Sequence, residues 1–249
     1  MSRGDGGDRR GTWFGGFETT HWTEIYQARN DADHRAQEAL NLLCKRYWRP
    51  LYAYVQRSGH TREEAEDLTQ DFFRSFLERD ALASVHPAGG RFRSFLLACL
   101  KHFLANERKR AHAQRRGGGI QPIPLDTGDT ESGPRFDPGD PRSPEQTYDR
   151  HWALTLIDRA MSDLRADYAA KGHGELLEIL KGFLPGGGPT LPRSELAAQR
   201  GTTVGAIDVA VHRLRQQFGA RLRAHVAQTV SSKEEIDDEI RHLMTMLTL

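Results

Sequence analysis

The chain has 249 residues, of which 37% are hydrophobic and 28% charged, with a formal net charge of +1; this balance favours two small domains over one large core. No run of about 18 apolar residues occurs, which argues against a membrane-spanning helix, and the glycine-rich start with Arg3, Arg9 and Arg10 lacks the apolar stretch of a secretory signal. A cytoplasmic protein without membrane insertion is expected, and Cys44 and Cys99, both within helical apolar patterns, read as buried thiols rather than a disulfide or zinc site.

Residues 1–16 form a Gly/Arg-rich extension expected to be disordered. Leu40, Leu43, Tyr47, Leu51 and Tyr54 then recur at three- and four-residue steps, the mark of a helix with one buried face. Thr61 and Glu64 form a capping box that starts a second helix with the face Ala65, Leu68, Phe72, Phe76. Residues 80–91, with Pro87, Gly89 and Gly90, read as a loop, and a third helix over about 92–111 buries Phe92, Phe95 or Leu96, Cys99 and Phe103. From Gly117 to Pro144 the chain is crowded with glycine and proline, so 117–148 reads as a flexible acidic linker. Helical patterning resumes at Asp149 through Trp152, Leu156 or Ile157, Ala160 and Leu164, continues at Leu176, Ile179 and Leu180, and breaks at Pro185 to Pro189. No convincing period-two alternation appears, so the expected fold is all-α: one helical module over 17–116, a second over 149–228, and a helical tail over 229–249.

The charge map is sharper than the net charge. Residues 61–80 carry −4, 91–116 carry +7, 120–149 carry −5 and 193–225 carry +4. Two basic patches separated by acidic surface point to two contacts with a polyanion and other contacts with something else.

Three constellations stand out. In the first, a short helix from Ser194 to Arg200 meets Gly201-Thr202-Thr203, and a longer helix follows with the stripe Val204, Ile207, Val211, Leu214, Phe218, Leu222. This is the helix-turn-helix arrangement, whose second helix fits a major groove about 12 Å wide. At 100° per residue, Gly205, Val209, His212, Arg213 and Gln216 face away from the stripe, donors and one methyl-bearing side chain suited to base edges and phosphates. The plainer reading is an αα-hairpin with a solvated polar face. In the second, Lys101, Asn106, Arg108, Lys109, Arg110, Arg115 and Arg116 make a basic helix end, where each neutralised duplex phosphate adds about 0.9 to the salt slope. Phe92, Phe95 and Phe103 nearby suit base stacking, but their spacing says core first. In the third, Glu63, Glu64, Glu66, Asp67 and Asp71 line an exposed helix with no convergent partner, so they suit a solvated or protein-docking face rather than acid-base or metal chemistry. No catalytic residue, metal ligand set or cofactor motif is found: the histidines lack ligand spacing, and the glycine triplets at Gly117 and Gly186 precede no Lys-Ser/Thr pair.

Together these features resemble the extracytoplasmic-function (ECF) subfamily of the sigma-70 family of RNA polymerase sigma factors. The resemblance covers about 17–228. Asp67-Leu68-Thr69-Gln70-Asp71 is similar to the core-binding motif of region 2, while Leu191 to Ala197 with Ala210 to Arg215 resembles the helix-turn-helix of region 4. Phe17 to Trp22 and Arg91 to Leu96 resemble a long-linker branch of the family. The resemblance implies that Asp67, Gln70, Asp71 and Phe73 dock on the clamp helices of the largest subunit of core RNA polymerase, with the polymerase flap as a further partner. It implies that Ser84, His86, Lys101, Asn106, Arg108, Lys109 and Arg110 engage the −10 element, helping to open it and holding a flipped base of the opened strand. Duplex promoter DNA at the −35 element would be read by Arg193, Thr202, Thr203, Gly205, Asp208, Val209, His212, Arg213 and Gln216, and the acidic linker would thread the RNA path.

The N-terminal extension, the long linker and the tail from Ser231 to Leu249, with its stripe Ile236, Ile240, Leu243, Met244, Leu247, depart from the common small pattern. That stripe suits packing on the second module, or capture of an anti-sigma or other regulatory protein. The alternative function is a helix-turn-helix regulator that works without core polymerase and needs no acidic docking helix.

Overall fold

The computed structural model describes residues 34–78, 91–116, 140–185, 188 and 190–248. The N-terminal extension, the loop holding Ser84 and His86, and linker positions 117–139 lie outside them. Regular structure among the described residues is entirely helical.

Helix α1 (His34–Arg57) and helix α2 (Arg62–Glu78) form an antiparallel pair around a tight turn where Gly59 adopts φ 94. The capping box is present: the Glu64 amide donates to Thr61 Oγ1 at 3.3 Å, and the Thr61 amide donates to Glu64 Oε2 at 3.0 Å. Helix α3 (Phe92–Arg116) packs its N-terminal half beside this pair. Its Phe92, Leu96, Leu100 and Leu104 are buried, while Phe95, Cys99 and Phe103 are half-buried against the same core. The sequence choice between Phe95 and Leu96 falls to Leu96. Both cysteines are free and half-buried, and burial pushes their thiols above the ordinary range.

Helix α4 (Pro144–Ala170) is the central element, touching α1, α5 (Gly174–Leu180), α7 (Val204–Ala227) and α8 (Glu234–Thr248). It begins five residues before the expected Asp149. Ser143 caps it through a full box with Gln146, and Pro144 occupies the first turn, where proline suits the helix because its missing N–H is not needed. The stretch from Asp140 to Tyr148, expected as linker, is instead a tethered helix start. Arg57 donates to the carbonyls of Asp140 and Arg142, while Arg142 forks onto the Asp140 carboxylate and holds it down to about 2, its ordinary value being 3.8.

The face of α4 carrying Tyr148, Trp152, Ala153, Leu156, Ala160 and Leu164 is buried, and Trp152 stacks on Tyr47 of α1 with centroids 4.5 Å apart and planes within 9°. Tyr47 also meets Phe92 edge-on at 5.3 Å, so one aromatic column joins α1, α3 and α4. Burying each such ring contributes about 1.5–3 kcal/mol, and each aromatic pairing about 0.5–1.5 kcal/mol more. The stretches read from sequence as two modules thus share one apolar core.

Helix α6 (Arg193–Gln199) packs on α7, and α8 lies across α4 and α7 with Ile236 and Leu243 buried. Of the two uses expected for the tail stripe, packing on the second stretch is the one its buried Ile236 and Leu243 serve. Val204, counted in the α7 stripe, is 43% exposed. It is the first helical residue, and side chains lean toward the N-terminus, so it overhangs the turn instead of the core.

Candidate nucleic-acid interface

Helix α6, the turn through Arg200 to Thr203, and α7 form the expected helix-turn-helix. Gly201 supplies φ 60 at the turn, a conformation costly to any residue with a Cβ. Thr203 then caps α7, its hydroxyl oxygen accepting from the Ala206 amide at 3.2 Å. Ile207, Val211, Leu214, Phe218 and Leu222 bury one face of α7 against Leu196, Ala197 and the α4 side of the core. The opposite face presents Gly205, Asp208, Val209, His212, Arg213 and Gln216, all exposed, with Thr202 and Thr203 exposed at the turn.

Pairing divides the basic residues of this stretch unequally. Arg193 reaches Asp208 at 3.1 Å and lies 5.4 Å from the Phe183 ring centroid, so two expected −35 residues bind each other across α6 and α7. Arg215 donates from Nε and Nη2 to the Phe183 carbonyl, Arg221 pairs with Asp167, Arg223 with Asp237, and Arg200 lies 3.7 Å from Glu175. Of the six arginines in 193–225, Arg213 alone has no partner among the described residues, and it sits amid the exposed face. Three of these arginines, Arg200, Arg221 and Arg223, are thus met at the surface by acids from α5, α4 and α8 that no local pattern connects to them.

The same holds for the first basic patch. Arg93, 5% exposed, donates from Nε to Glu239 Oε1 at 2.5 Å and pairs with Asp149 through Nη1. Arg91 holds the other Glu239 oxygen at 2.8 Å, and His242 Nε2 lies 2.8 Å from Asp149 Oδ2. Burial works against the Arg93 charge, yet the hydrogen bond to Glu239 and the Glu239 and Asp149 charges outweigh it and raise its pKa. Lys101 is drawn to Glu145 at the start of α4, at 2.7 Å, and lies 5.8 Å from the Tyr54 ring centroid; the Glu145 hydrogen bond raises its pKa. Arg110 pairs with Glu107. Asn106, Arg108 and Lys109 remain exposed, with no ion pair on either cation among the described residues. Phe92, Phe95 and Phe103 pack against Tyr47, Phe72 and Phe76, as core aromatics.

On α2 the carboxylate face is exposed: Glu63, Glu66, Asp67, Gln70 and Asp71 all reach solvent, with Asp71 held by Arg74 at 2.7 Å. Phe73 does not share that face. It is 6% exposed and stacks on Trp48 at 5.9 Å, so its ring supports the helix from beneath. No group of His, Cys, Asp and Glu suited to hold a metal ion occurs among the described residues, and no described helix is long and apolar enough to cross a membrane. The chain matches no protein-family model, no curated protein and no solved structure.

Proposed function

We infer that the chain is a transcription initiation factor of the ECF sigma type, acting in the cytoplasm with core RNA polymerase on promoter DNA, and performing no chemistry of its own. The observation that carries this reading is the coexistence, in one all-helical chain, of an exposed carboxylate face around Asp67, Gln70 and Asp71 and an exposed donor face on α7 centred on Arg213. The first suits a basic or amide-rich protein surface, and the second suits a major groove, where an arginine fork pairs with guanine for about 1–3 kcal/mol of discrimination. Arg108, Lys109 and Asn106 supply phosphate and base contacts at the end of α3, in the role assigned to the −10 element. In this reading 17–116 and the stretch from the start of α4 to 228 are the two functional modules, and 117–139 is the stretch that threads the RNA path.

Purified protein is mixed with core polymerase and the DNA upstream of its own gene, and run-off transcripts are sized. Defined start points that vanish in Asp67→Ala/Asp71→Ala and in Arg213→Ala support the reading. Activity on that DNA that survives Asp67→Ala/Asp71→Ala and needs no co-elution with core enzyme would give the chain to the independent-regulator class instead.

A further inference from the structure

The exposed face of α7 changes character along its length. Val209 is 49% exposed and lies opposite the buried stripe of Ile207, Val211, Leu214 and Phe218, so at 3.6 residues per turn it and Gln216 stand farthest from the core. One turn before Val209, Gly205 offers no side chain, and a Cβ placed there would meet nothing nearer than Thr203 Oγ1 at 4.0 Å. Val204 and Ala206 on either side of it are exposed as well. The single charged residue between Thr203 and Ala210 is Asp208, which Arg193 engages at 3.1 Å, and the Thr203 hydroxyl oxygen is already taken by the Ala206 amide. The exposed donors His212, Arg213 and Gln216 come one to two turns after Val209. The face therefore divides into an apolar N-terminal half and a donor C-terminal half.

A recognition helix turns its N-terminal residues toward the base edges of the major groove. On unmodified DNA those edges carry one apolar group, the 5-methyl of thymine. A guanine, adenine or cytosine edge set against Val209 would lose water without gaining a hydrogen bond, and that loss is costly.

We propose that Val209 selects thymine by packing on its 5-methyl group, with Gly205 admitting the base-pair edge to the helix surface while Arg213 takes a guanine. The proposal rests on the transcription reading and adds to it the chemical feature that the duplex element must carry. It also divides the labour on α7, giving the first two turns to shape and methyl contact and the later turns to hydrogen bonding.

The test uses the full chain with core polymerase and the duplex it enriches from a random library. Each thymine of the upstream element is replaced in turn by uracil, which lacks the methyl group and keeps every hydrogen-bonding group. The native chain is expected to bind about fourfold more weakly when one particular thymine is changed, the worth of one buried methyl group. In Val209→Ser, a change at an exposed position, that penalty disappears, and in Val209→Ile it remains. If no uracil position weakens the native chain, the proposal is overturned while the transcription reading stands. The same follows if every uracil penalty survives in Val209→Ser, which assigns the methyl contact to another side chain. Loss of polymerase co-elution in Val209→Ser with unchanged DNA affinity also overturns it and gives the apolar patch to a protein partner. If no duplex is enriched at all, the transcription reading falls and the proposal falls with it.

Discussion

Glu239 is fully buried, and its two oxygens are held by Arg91 and Arg93 from the start of α3, 146 residues away from it in the case of Arg93. A buried carboxylate tolerates that position only because both oxygens are met, and removing it leaves guanidinium charge in a site with Asp149 alone. Glu239→Ala should cost about 3 kcal/mol, the low end for breaking a buried pair, measured as a fall in the urea midpoint at unchanged slope. The paired change Arg93→Met/Glu239→Leu should recover only part of that loss, because the buried guanidinium is gone but Asp149 is left with His242 and Arg91 without its carboxylate. Histidines give a second test at this scale. His151 and His225 both have folded pKa values below the ordinary 6.5, so the unfolded chain binds their protons first as pH falls. Stability contributed by the neutral rings is intact above pH 6.5 and drains away between 6.5 and about 4, the folded value of His151. Thermal unfolding across that window should show a decline that His151→Asn makes shallower; an unchanged decline would remove His151 as a cause.

Element by element, the helices were legible wherever local chemistry decides them. The Thr61 and Glu64 box, the α1 stripe over Leu43, Tyr47, Leu51 and Tyr54, and the helix-turn-helix with its glycine all stand as expected, because caps, turns and 3.6-residue periodicity act within a few residues. The start of α4 was missed for a physical reason. Proline most often punctuates a chain, but after a capping serine, with glutamine at the third position, it is an N-terminal helix residue. The candidate site was legible in position but not in charge: Arg213 and the α2 carboxylates stand exposed as expected, while Arg91, Arg93, Lys101 and Arg193 are engaged by acids the local pattern cannot connect to them. Phe73, set on the docking face by the resemblance alone, lies beneath that face against Trp48, because a motif match does not fix which way a neighbouring side chain points. The turn before α7 offers a direct check on the helix-turn-helix. A Cβ at Gly201 would meet nothing within 4 Å, so the cost of Gly201→Ala is purely the positive φ, about 1–2 kcal/mol. Gly201→Asn should lose less, since asparagine tolerates that region. If the two variants unfold alike, strain at the turn is not the cause.

At the scale of the whole molecule, composition pointed to two modules, and the described residues pack both stretches around α4. Periodicity tells which face of a helix is apolar but not what covers it, so the Tyr47 and Trp152 stack was not foreseeable from α1 or α4 alone, whereas the α8 stripe packs on the second stretch as expected. The arrangement has a thermodynamic signature. A single core with α4 at its centre couples α1, α3, α7 and α8, so losing any one of them uncovers apolar surface on the others. Two modules joined only by a tether would unfold separately, each with a small enthalpy, whereas a shared core unfolds as one cooperative unit. Calorimetry of the full chain should therefore give one transition whose van't Hoff and calorimetric enthalpies agree. Trp152→Ala removes the ring that bridges α1 and α4 and should cost about 3–5 kcal/mol. If α1 and α4 depend on each other, that substitution lowers the whole transition. If it instead splits the transition in two, with the part belonging to α6 and α7 surviving at its original temperature, the two stretches are separable modules that merely touch, as the composition first suggested.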